Sequence, residues 1–95
     1  MDAEQVTVAD NRPELRYELL VAGDLAGSIR YTLDEGSITL VHTEVDPSYE
    51  GRGLGNMLVA GALDDIRRRG LTLHPLCPFV AAYVHRHPEY ADLLA

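Results

Sequence analysis

Hydrophobic and polar residues alternate along the first half of the chain with a period of two, the pattern of half-buried β-strands. This alternation predicts a short extended segment over residues 5–9 and strands over residues 16–21, 25–33 and 37–45. In the strand over residues 25–33, one face is predicted to hold Leu25, Ile29, Tyr31 and Leu33. The stretch Asp34–Gly36 predicts a hairpin turn between the last two strands.

The strand over residues 37–45 carries apolar groups on both faces, which favours a central place in a sheet. Strict alternation places Ile38, Leu40, His42 and Glu44 on the same face of this strand. His42 and Glu44 are therefore predicted to lie next to each other on a face that also holds apolar side chains.

After residue 53 the period changes from two to 3.6, the repeat of an amphipathic helix. Its apolar stripe comprises Leu54, Leu58, Val59, Ala62, Leu63 and Ile66, and its polar face comprises Asn56, Asp64, Arg67 and Arg68. Arginines in the last turn and Gly70 directly after it are typical of a helix C-terminus.

A short buried strand is predicted over residues 71–76, where the sequence reads LTLHPL. A second helix should begin after Cys77, with Pro78 in its first turn, and end at Pro88. Its apolar face is predicted to hold Phe79, Val80, Tyr83 and Val84. Strands followed by a helix, a further strand and a helix predict an α+β (mixed α/β) fold.

Length and charge narrow the functional classes. A chain of 95 residues suits one small domain, and residues 1–95 are expected to form one. The net charge of −7 argues against nucleic-acid binding, which needs a basic surface, but it is compatible with a cationic or lysine-bearing partner. No apolar stretch approaches the roughly 20 residues of a membrane span. The acidic first residues do not resemble a signal peptide, and a single cysteine suits a reducing compartment, so a cytoplasmic protein is predicted.

Three glycines, Gly51, Gly53 and Gly55, lie between the last predicted strand of the first half and the long helix. A glycine loop that opens a helix presents unpaired backbone N–H groups and the positive end of the helix dipole, and so predicts an anion site. The following Asn56 and Met57 are not the lysine and hydroxyl residue of a P-loop, and the spacing departs from the dinucleotide-binding fingerprint. A turn that binds no ligand is the alternative interpretation.

Residues 41–71 resemble the acetyl-CoA-binding motif of the GNAT superfamily of N-acetyltransferases. That motif has a strand ending in Val-x-Pro, followed by Arg/Gln-x-x-Gly-x-Gly/Ala at the start of a long helix. Val45–Pro47 and Glu50–Gly55 match it, with Glu50 where most members carry Arg or Gln. Residues 77–90, CPFVAAYVHRHPEY, are similar to the superfamily's last conserved block. From Arg16 onward the chain looks most like the short, single-domain branch, in which much of the part that builds the acceptor pocket in larger members is missing.

The resemblance implies a minimal GNAT-like fold: a mostly antiparallel sheet, a cofactor helix and a C-terminal helix. It implies transfer of acetyl from acetyl-CoA to an amine. The implied coenzyme A-binding residues are Val45, Glu50, Gly51, Arg52, Gly53, Leu54, Gly55 and Asn56. The arginines at 67–69 are expected to complement the helix C-terminus and face solvent, with a secondary role in attracting the 3′-phosphate of coenzyme A.

Four residues are candidates for chemistry. By resemblance, Tyr83 would protonate the departing thiolate of coenzyme A; packing beside Phe79 is the alternative. Cys77 precedes a helix, whose N-terminus lowers a thiol pKa, so it could accept the acyl group; an inert buried thiol is the alternative. His42 or Glu44 would remove the proton from the attacking amine, although a histidine on an apolar face is more often a packed residue.

Three further histidines, His74, His85 and His87, do not predict a metal site, because the last two are spaced so that they do not share a helix face. A non-catalytic module that senses acyl-CoA or docks a protein is the alternative to an enzyme. The sequence identifies neither the acceptor, a small molecule or a protein lysine or N-terminus, nor whether transfer is direct or passes through Cys77. A homo-oligomer that completes the acceptor pocket is compatible with it.

Overall fold

The computed structural model describes residues 5–94, which form a five-stranded sheet in the order β1-β2-β3-β4-β5. The strands are β1 Val6–Asn11, β2 Arg16–Val21, β3 Asp24–Asp34, β4 Ser37–Val45 and β5 Thr72–Pro75. The first four pair in antiparallel fashion, and β5 pairs parallel to β4. The helices are α1 Leu54–Arg68 and α2 Pro78–Arg86, with short 3₁₀ helices at Arg12–Glu14, Pro47–Tyr49 and Pro88–Leu93. The predicted α+β fold is confirmed, although the 3₁₀ helices were not predicted.

The predicted apolar stripe of α1 is confirmed, because all six of its residues are buried against the sheet. Eight buried side chains of β2, β3 and β4 belong to the same core: Tyr17, Leu19, Val21, Ala26, Ile29, Tyr31, Ile38 and Leu40. From α2, Val80, Tyr83 and Val84 join this core. The core thus fixes α1 across β1 to β4, and so fixes where the helix begins relative to the end of β4.

One β-bulge lies in β3, where its register with β2 shifts between Leu19 and Leu20. A bulge inserts one extra residue and changes which side chains face the core. Consequently Ala26 is buried, while Leu25 is 48% exposed. Leu33, near the hairpin turn, is 44% exposed. The prediction that Leu25 shares a face with Ile29 and Tyr31 is therefore wrong, whereas Leu33 stays in the same alternation as Tyr31 and pairs with buried Ile38.

A second bulge lies in β4 and makes Val41 an extra residue relative to β3. Before this bulge Ile38 and Leu40 are fully buried, whereas after it His42 and Glu44 are exposed. The prediction that these four side chains share a face is wrong, because the bulge shifts the alternation by one residue. Residues at odd positions of β4, not even ones, are the less exposed residues beyond Val41.

The arginine run at the end of α1 is bound to acidic side chains, and only part of it faces solvent as predicted. Arg69 Nη1 lies 2.9 Å from Asp10 Oδ2 of β1, and the Arg69 side chain is only 20% exposed. Arg67 Nη1 lies 2.7 Å from Asp92 Oδ2 in the last 3₁₀ helix. Arg68 is mostly exposed. These ion pairs join the end of α1 to the edge strand and to the C-terminal segment.

Tyr31 is expected to make the stability of the fold decrease as the pH rises in the alkaline range. Its hydroxyl donates a hydrogen bond to Asp10 Oδ1 over 2.6 Å. Burial and then this bond to the Asp10 carboxylate raise the pKa of Tyr31 from 10.0 to about 12. Because the folded-state pKa is raised, the stabilisation is complete below pH 10 and is lost as the pH rises through 12.

We therefore expect the free energy of unfolding to fall between about pH 10 and 12, with roughly 1–2 kcal/mol of the fall due to Tyr31. Tyr31→Phe cannot ionise, so its curve should be shallower over this interval. Urea unfolding of both proteins from pH 9 to 12 measures the difference. Parallel curves for the two proteins would contradict the coupling.

Candidate functional site

The glycine loop joins the 3₁₀ helix Pro47–Tyr49 to α1 and forms one wall of a cleft. Gly51 and Gly53 have φ angles of +80° and +73°, in the left-handed region that other residues rarely adopt. Gly55 is needed for a different reason, because a Cβ there would lie only 3.0 Å from Cζ of Phe79 on α2. Two of the glycines therefore allow the turn, and the third allows α2 to approach the start of α1.

The backbone amides at this loop point to an anion site. No hydrogen bond within the described residues uses the N–H of Gly51, Gly53, Leu54, Gly55 or Asn56, and no side chain caps α1. The first turn of α1 contains no acidic residue that would neutralise the helix dipole. Unpaired N–H groups at a helix N-terminus attract anions. This part of the loop is therefore available to a ligand such as a diphosphate.

The cleft beside the loop has a volume of about 520 Å³ and lies between α1, β4 and α2. Its lining comprises Thr43, Val45, Tyr49, Glu50, Gly51, Gly53, Leu54, Gly55, Asn56, Phe79 and Arg86. Seven of the eight residues predicted to bind a cofactor are among them. The exception is Arg52, whose guanidinium carbon lies 5.5 Å from the centre of the Tyr49 ring instead.

Four lining residues were not predicted to belong to this site: Thr43, Tyr49, Phe79 and Arg86. Phe79 was predicted to pack in the core, but it is 42% exposed and its ring covers Gly55. Phe79 and Arg86 are seven residues apart in α2, and two helical turns place such residues on one face. The spacing in the sequence therefore predicts that Phe79 and Arg86 share a helix face, but only the structure shows that this face forms the opposite wall of the cleft.

Cys77 lies behind the cleft and is 3% exposed. Its Sγ is 3.3 Å from Oγ1 of Thr43, which does line the cleft. Burial raises the pKa of the Cys77 thiol, but the Thr43 hydroxyl and the backbone N–H groups of Val80 and Phe79 more than offset this, so the pKa is lowered. The predicted influence of the α2 N-terminus on this thiol therefore has a structural basis, with Thr43 between Cys77 and the cleft.

Tyr83 is buried on α2 outside the cleft lining. Its ring stacks on that of His87, with centroids 4.1 Å apart, and lies 6.1 Å from the ring of Tyr90. Burial, followed by the charges of Glu89 and Asp64, raises the pKa of Tyr83. A phenol whose ordinary pKa is about 10 is protonated at neutral pH, as a general acid must be, and the raised pKa makes it a weaker acid.

His42 and Glu44 lie on the side of β4 away from the cleft. The intervening residue, Thr43, and the next one, Val45, line the cleft, and successive residues of a strand point to opposite faces. His42 Nε2 lies 3.7 Å from Glu44 Oε1, and the two side chains are 60% and 67% exposed. The fold thus brings this predicted pair together, but on the face opposite the glycine loop.

Residues 5–94 contain neither a metal-binding cluster nor a membrane-spanning helix. No three His, Cys, Asp or Glu side chains of this part of the chain cluster in a way that could hold a metal ion. No helix in the same range has the length and apolar character needed to cross a membrane.

Comparison with known families gives a match over most of the chain. Residues 16–93 match the model of the GCN5-related N-acetyl-transferase family. Protein NATD1 of Mus musculus is 37% identical over 59 residues, which are 60% of this chain and 54% of that protein. The human protein of the same name gives the same identity over 59 residues, 52% of its length, so the match spans about half of these relatives. Protein NATD1 of Danio rerio is 27% identical over 103 residues, with 95% of this chain and 94% of that protein covered.

Among solved structures, the ribosomal-protein-S18-alanine N-acetyltransferase from Escherichia coli is similar to this chain. The TM-score is 0.57 at 30% sequence identity, and the match covers 62% of this chain and 39% of the other. The shared part is thus the larger part of this chain but less than half of the bacterial enzyme.

Proposed function

Because the chain belongs to the GCN5-related N-acetyltransferase family, we propose that it transfers the acetyl group of acetyl-CoA to an amine. The observation that carries this proposal is the open start of α1, where no described residue accepts a hydrogen bond from the backbone N–H groups of Gly51, Gly53, Leu54, Gly55 and Asn56 beside a cleft of about 520 Å³. A diphosphate needs such donors, and the missing side chains of the glycines allow it to approach the backbone closely.

The residues around the cleft fit the rest of coenzyme A. Val45 and Thr43 of β4 and Phe79 of α2 offer an apolar path leading from the glycine loop towards Cys77. When bound, acetyl-CoA would supply an acyl carbon activated as a thioester, which an amine can attack. The backbone of β4 near Val45 would then polarise the acyl carbonyl, as the resemblance to the family implies.

Two proton transfers must accompany the reaction. The attacking amine loses a proton, and the sulfur that leaves the acyl carbon gains one. We assign the first to His42 or Glu44, which requires the amine to approach from the side of β4 away from the glycine loop. We assign the second to Tyr83, as the resemblance to the family implies.

Direct transfer is favoured over a route through Cys77, because Thr43 separates the buried thiol from the cleft. In the covalent route, Cys77 Sγ would attack the acyl carbon and coenzyme A would leave as a thiolate. The amine would then attack the acyl-cysteine and release Cys77. The lowered pKa of Cys77 is the observation that keeps this route as the second candidate.

A protein amine is the acceptor that the surface suits best. His42 and Glu44 lie on an exposed part of the sheet, where the neighbouring Arg30 and Thr32 of β3 are also exposed. A small amine would find little enclosure there, whereas a protein N-terminus or lysine could be presented by a segment lying across the strands. The bacterial neighbour is named for acetylating an alanine of a ribosomal protein, which is consistent with this choice.

Isothermal titration with acetyl-CoA tests the proposal first, and saturable binding is expected. Turnover is then measured with a peptide that has a free N-terminus, a lysine peptide with a blocked N-terminus, and a small polyamine. Binding without acetylation of any amine would support the second candidate function, an acyl-CoA sensor. That candidate is favoured by Glu50, a carboxylate in the cleft where most family members carry Arg or Gln.

Two variants then test the chemistry. Cys77→Ser keeps a hydrogen-bond partner for Thr43 and should retain turnover within about tenfold. Mass spectrometry of the wild type after incubation with acetyl-CoA should find no acetyl group on Cys77. An acetylated Cys77 would shift the mechanism to the covalent route. Tyr83→Phe should bind acetyl-CoA normally but turn over more slowly. Equal turnover numbers for Tyr83→Phe and the wild type would remove Tyr83 from the reaction.

A further inference from the structure

The cleft contains only two charged side chains from the described residues, Glu50 and Arg86. Glu50 is unfavourable for a phosphate-bearing ligand, since its carboxylate repels the anion. Arg86 is the one cation in the lining, and no ion pair joins it to another described residue. The electrostatic attraction of this cleft for a phosphate therefore depends on Arg86 and on the backbone amides of the loop.

The arginines that the sequence suggested for this task lie elsewhere. Arg52 contacts the Tyr49 ring and does not line the cleft. Arg67 and Arg69 are paired with Asp92 and Asp10 at the far end of α1, which at 1.5 Å per residue is roughly 20 Å from the glycine loop. They cannot reach a ligand that is held at the start of the helix.

We propose that Arg86 is the residue that binds a phosphate group of coenzyme A from the α2 side of the cleft. This inference rests on the proposed function. Phe79 and Arg86 lie on one face of α2, and two helical turns separate them by roughly 10 Å. Phe79 lies against Gly55 at the start of α1, and Arg86, two turns farther along α2, lines the same cleft as the glycine loop. The planar guanidinium suits bidentate binding of phosphate oxygens.

Coenzyme A has two groups whose phosphate oxygens could bind Arg86, the 3′-phosphate on its ribose and the diphosphate. Both would accept hydrogen bonds from Arg86, and the geometry of the guanidinium serves either. Acetyl-CoA and 3′-dephospho-acetyl-CoA differ only in the first group, so measuring both ligands identifies which phosphate Arg86 contacts.

The test measures the Kd for both ligands by isothermal titration with the wild type, Arg86→Gln, Arg86→Lys and Arg30→Gln. Arg30 is the matched control, because it is exposed, makes no ion pair with a described residue and lies on β3 away from the cleft. Arg86→Gln should weaken acetyl-CoA binding roughly tenfold or more, since a hydrogen bond to a charged group contributes that much. Arg86→Lys should be intermediate, and Arg30→Gln should match the wild type. Thermal unfolding of each variant checks that the fold is intact.

If Arg86 contacts the 3′-phosphate, the wild type should bind the dephospho ligand more weakly and Arg86→Gln should cause no further loss. If it contacts the diphosphate, Arg86→Gln should cost the same with both ligands. Either pattern supports the proposal. Equal affinities for Arg86→Gln and Arg30→Gln, with a wild type that binds acetyl-CoA, would overturn the role of Arg86 alone. A wild type that binds neither ligand would overturn this role together with the proposed function.

Discussion

Replacing Gly55 with valine is expected to weaken acetyl-CoA binding by at least about 100-fold while the protein remains folded. Gly55 lines the cleft at the first turn of α1, and even a Cβ there would lie 3.0 Å from the Phe79 ring. A valine would push Phe79 aside and fill the space where the ligand must approach the backbone. Losing two hydrogen bonds to a charged group costs about 3 kcal/mol, which corresponds to this factor.

The helix itself should tolerate the change, because valine is no worse than glycine in a helix interior and Phe79 is half exposed and free to move. Met57→Val is the matched control: it puts the same side chain into the same turn at an exposed position outside the cleft. Isothermal titration and thermal unfolding of both variants measure the two effects. Comparable affinities for Gly55→Val and Met57→Val would show that acetyl-CoA does not lie against this loop.

The parts of the site that local sequence could predict are those built from one continuous segment. The glycine loop and α1 are adjacent in the chain, so the unusual glycine spacing and the 3.6-residue apolar repeat together predicted the turn and the helix that form one wall of the cleft. All six residues of the predicted stripe are buried. The hairpin turn before Ser37, where Gly36 has a φ of +72°, also followed from a local signal.

What the sequence could not predict depends on contacts between distant segments. The bulge at Val41 moves apolar side chains from even to odd positions, which strict alternation interprets as apolar groups on both faces, so His42 and Glu44 were assigned to the wrong face of β4. Phe79 reads as a core residue from its apolar side chain, and only the approach of α2 to Gly55 places it in the cleft. The ion pairs of Arg67 and Arg69 were missed for the same reason: Asp92 and Asp10, which bind them, are far away in the sequence.

Gly61→Val is expected to destabilise the fold by about 3 kcal/mol, since overpacking a close contact costs about this much. Gly61 lies on α1 where the helix crosses β1, and a Cβ there would lie 2.7 Å from both Cβ and Cγ2 of Val8. Valine is stiff at χ1, so Val8 cannot turn away, and the edge strand would have to move. The midpoint of thermal unfolding should fall by roughly 12 °C or more.

Val8→Gly removes the side chain that stands in the way and provides the internal test. In that background, Gly61→Val should lose most of its cost, so a double-mutant cycle should give a coupling of about 2–3 kcal/mol between the two positions. Met57→Val, at an exposed position of the same helix, should leave stability almost unchanged. If Gly61→Val is equally destabilising with and without Val8, the close packing of α1 on β1 does not set the position of the helix. Because that packing also places the start of α1 beside β4, folded Gly61→Val should bind acetyl-CoA more weakly than the wild type.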